Sequence, residues 1–402
     1  MKTILTNCTV IDCTGKAPMK DMTVVIEDDK IAELKPGAYR QAAGEGEVRV
    51  FDLEGGYVLP GLWNVHAHLG DLFPDARHLL KESAIDRAIW AGRNAIDALR
   101  VGITGIRVAG ECDFIDVAWK RAFDAGVFVG PRLFVCGKYI CATGGHGWDG
   151  PNAVEVDGPY EMRKVVREQL KHGADQIKLA VTGGILTAGE SIQESQFLLD
   201  EIQAATEVAH QKGKRVCVHA GGSEGIKRAI QGGVDCIEHG YYLDDEAIEM
   251  MVEKNVFYVP TIRVTQDEEF LRESGMAEFQ IKKARAAAKA HVEGFQKALK
   301  AGLKIACGAD WSPIKEFTLR EIEHLVKAGM TEMEALIAAT RTSADLCAVA
   351  DQLGTVEVGK LADLIALAGD PLEDISNVRK LKLVLKGGKL ADISPQEGPA
   401  DF

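Results

Sequence analysis

Apolar and polar residues alternate through the first sixty positions in three short runs, 4–12, 22–37 and 47–61, each cut by Gly, Asp or Pro. A period of two with turn residues between runs predicts half-buried strands. The same texture returns in 354–369 and 381–392. Matching β-rich ends around a different middle predict one small β-sandwich domain built from both termini, residues 1–58 plus 355–402. The middle, 59–354, alternates short apolar runs with amphipathic stretches. The runs are LWNVHAH, GITGIRVAG, PRLFVCGK, DQIKLAVTGG, RVCVHAGG, DCIEHG, VFYVPTI and KIACGAD. DRAIWAGRNAIDALR, PYEMRKVVREQLKHG and LDEIQAATEVAHQKG are among the helical patterns between them. Strand-then-helix repetition predicts parallel βαβ units. Eight such runs predict an α/β fold of the (β/α)8 TIM-barrel type, whose chemistry lies at the C-terminal ends of the strands. An open doubly wound sheet is the alternative, but no Gly-rich nucleotide fingerprint stands at a strand-to-helix junction.

Composition narrows the class. With 46% hydrophobic and 27% charged residues, the 402-residue chain reads as soluble and globular. Its 47 Lys+Arg against 60 Asp+Glu leave a net charge of −13, which argues against nucleic acid or an anionic membrane as partner. No apolar stretch approaches the roughly 18 residues of a spanning helix. The opening MKTILTNCTVIDCTG is broken by Thr6 and Asn7 before any signal-peptide core forms. Nine cysteines without a C-x-x-C pair fit reduced thiols and a cytoplasmic location, and supply neither a disulfide framework nor a Cys-type zinc site.

The first barrel run ends in His66-Ala67-His68, and residues i and i+2 of a strand share a face. Lys178 lies near the end of the fourth run, His219 ends the fifth, His239 the sixth and Asp310 the eighth. A barrel brings those ends to one mouth, where imidazoles and a carboxylate are ligands for Zn²⁺ and similar ions. Lys178 is the odd member. It is either a buried lysine paired to a carboxylate, or a neutral amine that has taken up CO₂ as a carbamate able to bridge two metals. His146, in TGGH after the third run, is the further candidate, against a loop histidine with no task.

LPGLWNVHAHLG, QIKLAVTGG, VHAGG, IEHG and GAD, in that order, resemble the amidohydrolase superfamily. PRLFVCGKYICATGGH resembles its branch of imidazolonepropionase-like proteins, prolidases and related dipeptidases. The resemblance implies a binuclear centre of two divalent ions, zinc being the expected metal. His66, His68 and Asp310 would hold one ion and His219 and His239 the other, with N6-carboxylated Lys178 between them. It implies hydrolysis of an amide or peptide bond in a small N-acyl amino acid or dipeptide. A metal-bridging hydroxide would be the nucleophile, Asp310 the general base and then acid, and His146 a contact to the substrate carbonyl. A homo-oligomer is expected by the same analogy. Within the enzyme class, a cyclic-amide (imidazolone-type) hydrolase and a mononuclear deaminase are the rivals, and Lys178 counts against the deaminase. A catalytically silent scaffold is the rival outside it, opposed by the complete ligand set.

Two positions depart from the family pattern. Asn64 stands where an acid is common, and Gly221 follows His219-Ala220 where relatives carry a carboxylate-gripping side chain. Tyr242 and Arg263 are the expected substitutes in substrate binding, with Tyr241 and Lys138-Tyr139 as further neighbours. His78, His172, His210, His291 and His324 fall on helical stretches and are expected to face solvent or cap helices. TGGILTAGE reads as a mobile loop beside Lys178, and 264–304 as a solvated helix pair forming a lid or an oligomer contact.

Overall fold

Strand Lys2–Val10 is the hub around which the chain's two ends meet. In the computed structural model, which describes residues 2–40, 48–70, 83–273 and 275–394, it pairs antiparallel with Met19–Glu27. It pairs parallel with both Val48–Asp52 and Tyr57–Pro60. Tyr57–Pro60 in turn runs antiparallel to Leu364–Leu367, which continues into Leu381–Lys386. Residues from both ends thus share one eight-stranded sheet. Leu5, Val10, Val24, Ile26, Val58, Leu364 and Leu385 form a core of their own on it.

The middle folds as the expected α/β barrel, in distorted form. Parallel strands Leu62–Ala67, Ile103–Val108 and Arg132–Phe134 form one arc. Gln176–Ala180, Arg215–Ala220, Cys236–His239 and Phe257–Val259 form the other. These strands are buried along almost their whole length, as parallel sheets with helices outside require. The third run breaks after Phe134 and resumes as Tyr139–Cys141, which reaches the fourth strand through Ile140 and Leu179. Among the described residues the eighth run pairs as a single bridge, Ile305 to Tyr258, and Val65 N–H donating to Cys307 O and Asp310 N–H donating to His66 O close the ring. Space explains the irregularity. A Cβ on Gly308 would lie 2.6 Å from both His66 Cβ and Val259 Cγ1, so backbone is squeezed between the first and seventh strands.

Local chemistry sets the helix ends. Ser83 and Asp86 form a reciprocal capping box at the start of Ala84–Arg100. Gly173, at φ 111°, terminates Gly158–His172 in the left-handed conformation that glycine adopts freely. Segment 264–304 is not the solvated pair expected. Two short helices, Arg263–Gln266 and Glu268–Glu273, lead into Glu278–Lys300, which buries Ala284, Ala287, Phe295 and Ala298 against the body. His291 is buried on the same face rather than exposed. The alanine spacing that reads as a solvated surface is a close-packing stripe. Of the other discounted histidines, His172 stacks on Phe114 at 3.8 Å, His210 bonds Asp235, and His324 is half-buried with its Nδ1 on Arg320 O. His78 lies outside the described residues.

His291 carries a pH signature. Its Nδ1 lies 2.8 Å from Thr265 Oγ1, its ring meets the edge of Tyr241, and burial pulls its pKa down to about 4. An unfolded histidine titrates near 6.5. The unfolded state therefore binds more protons between those values, and His291's contribution is complete above about pH 6.5. It is lost as pH falls towards 4, at up to ~1.4 kcal/mol per pH unit. The stability difference between wild type and H291Q, read from denaturant midpoints, should change steadily between pH 7 and pH 5; a constant difference would disprove it.

Candidate metal centre

The six side chains singled out by their strand-end positions meet in one cavity of about 490 Å³ at the barrel mouth. His66, His239 and Asp310 bring ligand atoms within 4.8 Å of one another, close enough to hold a metal ion together. Nε2 of His66 lies 3.3 Å and Nε2 of His68 3.4 Å from Asp310 Oδ1. Ring centroids of His66 and His239 are 4.9 Å apart, and those of His219 and His239 4.5 Å. Two of these residues owe their aim to unusual backbone: His239 and Asp310 both take φ of +71°. A non-glycine residue in that region costs roughly 1–3 kcal/mol, a strain held where geometry serves a site.

Each imidazole is steered from behind. His66 Nδ1 lies 2.7 Å from Glu238 Oε2, and the other oxygen of Glu238 accepts from Arg107 NH2 at 2.6 Å. Nδ1 of His68 donates to Gly110 O at 2.9 Å. The Thr261 hydroxyl donates to Pro260 O, so it accepts from His239 Nδ1 at 2.8 Å. In these three residues the proton sits on Nδ1 and the Nε2 lone pair faces the cluster. His219 is reversed, with Nε2 at 3.3 Å from Gly183 O.

Electrostatics keep the donors in binding form. Burial pushes His219 well below its ordinary pKa, with nearby His146, His239 and Lys178 adding to it; burial also holds His239 down. Burial alone would raise the carboxyl of Asp310, but His66, His68 and His239 override it and hold the group well below its usual range. For Glu238, burial is likewise overridden by Arg107 and His66. Neutral imidazoles and an ionised carboxylate are the ligand forms of these groups. Lys178 Nζ is buried and has no hydrogen-bond partner among the described residues, so the ordinary ion pair weighed for it does not form. A buried ammonium left alone beside ligand histidines is costly. A donor set of this chemistry together with an orphaned amine fits a metal centre.

His146 lines the same cavity, stacked on His219 at 4.0 Å between ring centroids. Its Nδ1 lies 2.5 Å from Glu190 Oε1, on the Gly-rich segment expected to be a loop beside Lys178. Asn64 contributes no charge. Its Oδ1 accepts from His66 N–H and Ala309 N–H, and its amide donates to Thr318 Oγ1, tying the first and eighth runs together.

Two expected substrate contacts lie elsewhere. Arg263 does not line the cavity; it is fully buried, its guanidinium 3.8 Å from the ring centre of Phe317 and 4.3 Å from that of Phe270. Burial lowers its pKa to about 10, and its NH2 donates to Ala309 O, beside Asp310. The turn through Pro260 and Thr261 into helix Arg263–Gln266 carries the side chain under the mouth instead of across it. Tyr242 packs half-buried against the apolar cluster of Ile185, Ile192 and Val264, while its neighbour Tyr241 reaches the cavity. Glu238, Arg107, Thr261 and Glu190 were not anticipated. For Glu238 a signal existed, an acid inside the buried run DCIEHG, because such residues are almost never buried unpaired.

The comparisons agree with this architecture. The amidohydrolase family profile matches residues 57–391, and the chain belongs to that family. Ochratoxinase of Aspergillus niger is 31% identical over 365 residues, spanning 83% of this chain and 75% of its own. A crystallised Xaa-Pro dipeptidase with bound methionine superposes with a TM-score of 0.90 at 35% identity, over 97% of this chain and 99% of that one. A prolidase complexed with N-methylphosphonate-L-proline gives 0.87 at 29%, over 97% and 99%. Fold, metal cluster and family together define a metal-dependent hydrolase.

Replacing Glu238 by Gln should lower metal affinity roughly 10–100-fold, the usual cost of losing a partner behind a ligand histidine. Metal retained on dialysis against graded chelator measures this, and wild-type retention would remove Glu238 from that role.

Proposed function

We propose that the chain hydrolyses the amide or peptide bond of a small N-acyl amino acid or dipeptide at a centre of two divalent ions, zinc being the expected metal. The observation that carries the binuclear reading is Lys178, whose buried Nζ lines the cavity with the five other candidate ligands and has no partner among the described residues. As a carbamate it would offer two oxygens, and His66, His68 and Asp310 would complete one position, His219 and His239 the other. When bound, the ions supply Lewis acidity, bringing the pKa of a water to about 7 and polarising the scissile carbonyl.

The chain's own groups do the rest. Asp310, held ionised, accepts the proton of the attacking water and returns it to the leaving nitrogen, so that hydroxyl adds to the acyl carbon as the C–N bond breaks. His146, which lines the cavity wall beside His219, would meet the carbonyl oxygen. Above the polar floor much of the wall is apolar, from Ile185, Leu186, Val264, Met276, Phe279 and Trp311, with Asp149, Asn152 and Gln280 among its polar members. The apolar side chains favour substrates with an apolar group next to the scissile bond. The dipeptidase and prolidase similarities support an amino-acid amide as substrate.

Lys178→Ala should reduce bound metal from about two per chain and lower kcat by at least about 100-fold, with partial rescue by a short carboxylic acid that replaces the carbamate. Elemental analysis of protein grown with zinc and bicarbonate, alongside turnover of a mixed panel, reads both; full metal and full activity would overturn the bridge. Within that panel, amides with an apolar acyl group should exceed acidic counterparts in kcat/KM on the order of 10-fold or more, from burial of apolar area against these walls. Equal rates would contradict the apolar assignment.

A further inference from the structure

Segment 183–196 follows the fourth barrel strand and supplies none of the candidate metal ligands, yet its polar groups converge on one residue outside it. Glu190, its side chain 6% exposed, lies with Oε1 2.5 Å from His146 Nδ1. The same oxygen accepts Gly184 N–H at 2.7 Å, and Oε2 accepts Gln196 Nε2 at 3.1 Å. Gln196 is itself fixed on the other side, its Oε1 accepting the backbone N–H of His146 at 2.9 Å. Thr187 Oγ1 takes the next N–H, that of Gly147, also at 2.9 Å. The ring faces His219 at 4.0 Å, and Gly184 leaves it room: a Cβ there would come within 2.3 Å of the imidazole. The segment is anchored in turn from outside. Lys283 Nζ donates to Gly184 O and Thr187 O at 3.0 and 2.9 Å, and Gln280 donates to Leu186 O at 2.8 Å.

From this convergence we infer that Glu190 is a positioning residue for the hydrolytic reaction: it holds the His146 ring by Nδ1 and presents Nε2 to the substrate carbonyl. Gln196 and Thr187 fix the backbone from which the ring is hung. The inference rests on the amide-hydrolase reading for its kinetic consequence, and on the structure alone for the hold on the ring. A carboxylate that accepts Nδ1–H leaves Nε2 for the substrate; with both ring nitrogens protonated, Nε2–H donates to the carbonyl oxygen, and a ring caught at both backbone and side chain has little freedom to leave it. Glu190 itself touches neither the candidate metal ligands nor, on this geometry, the substrate. It acts through His146.

The test is a double-mutant cycle joined to a spectroscopic readout. E190Q keeps an acceptor of nearly the same shape, and E190A removes it. The expected result is a fall in kcat on the order of 10–100-fold for E190A and a smaller one for E190Q. KM and bound metal should stay near wild type, and neither substitution should have further effect in an H146A background. A long-range proton–nitrogen spectrum of histidine-labelled protein, with H146A as assignment control, should show the proton on His146 Nδ1 in wild type and lose that fixed pattern in E190A. Equal loss of kcat with and without His146 would overturn the inference while leaving the hydrolase reading intact. So would a His146 signal indifferent to E190A. Absence of any amide turnover in the wild type would overturn the kinetic part together with the hydrolase reading, and the spectrum would still decide whether Glu190 holds the ring.

Discussion

Glu238 has no solvent exposure and sits beneath the cavity floor with both oxygens committed, one towards Arg107 and one towards His66. A buried carboxylate without partners would cost several kcal/mol, and one with two charge-assisted bonds becomes a fixed point. Arg107 extends the attachment. Its Nε donates to Val65 O, beside His66, and its NH1 approaches Gln176 Oε1 at 3.4 Å. Gln176 then donates to Val108 O at 2.9 Å. One polar network therefore joins the first, second, fourth and sixth barrel strands. Those strands carry His66, Lys178 and His239, so the spacing of the candidate ligands follows from a contact none of them makes alone.

Above that network the backbone does the remaining aiming. His239 and Asp310 both stand at positive φ where their strands stop, and the eighth run is too confined at Gly308 for a regular strand. Arg263 belongs to this support, because its donation to Ala309 O reaches the residue preceding Asp310. The two phenyl rings against its guanidinium, Phe270 and Phe317, make up part of what burial takes from a cation. The result is a rigid polar floor and an apolar wall, joined through the anchored segment that carries Glu190. Such a division is what a site needs if it is to bind an apolar acyl group while placing its carbonyl against charge.

Much of this was legible from local pattern. Period-two runs alternating with amphipathic stretches specify a βα repeat, and a residue at the end of such a run lies at the barrel mouth whatever the rest of the chain does. Hence His66, His68, Lys178, His219, His239 and Asp310 could be placed together before any coordinates. The pairing of the two β-rich ends followed from their shared texture. Arg263 and Tyr242 lie off the cavity wall for a common reason. Following a strand in sequence locates a residue to the mouth, but a single turn, as at Pro260-Thr261, decides whether its side chain points across the cavity or beneath it. His291 was misread because an alanine-rich helix face looks alike whether it meets water or another close-packed face.

The sequence by itself determined the fold class, the strand ends and the identity of the candidate ligands, because those depend on near-neighbour periodicity and on chemistry each residue carries alone. Only the tertiary structure decided the tautomers, the orphaned state of Lys178 and the partnership of Glu238 with His66 across 172 positions, as well as that of Glu190 with His146 across 44. These depend on which distant groups exclude water together, and burial turns a weak exposed contact into one that fixes a proton.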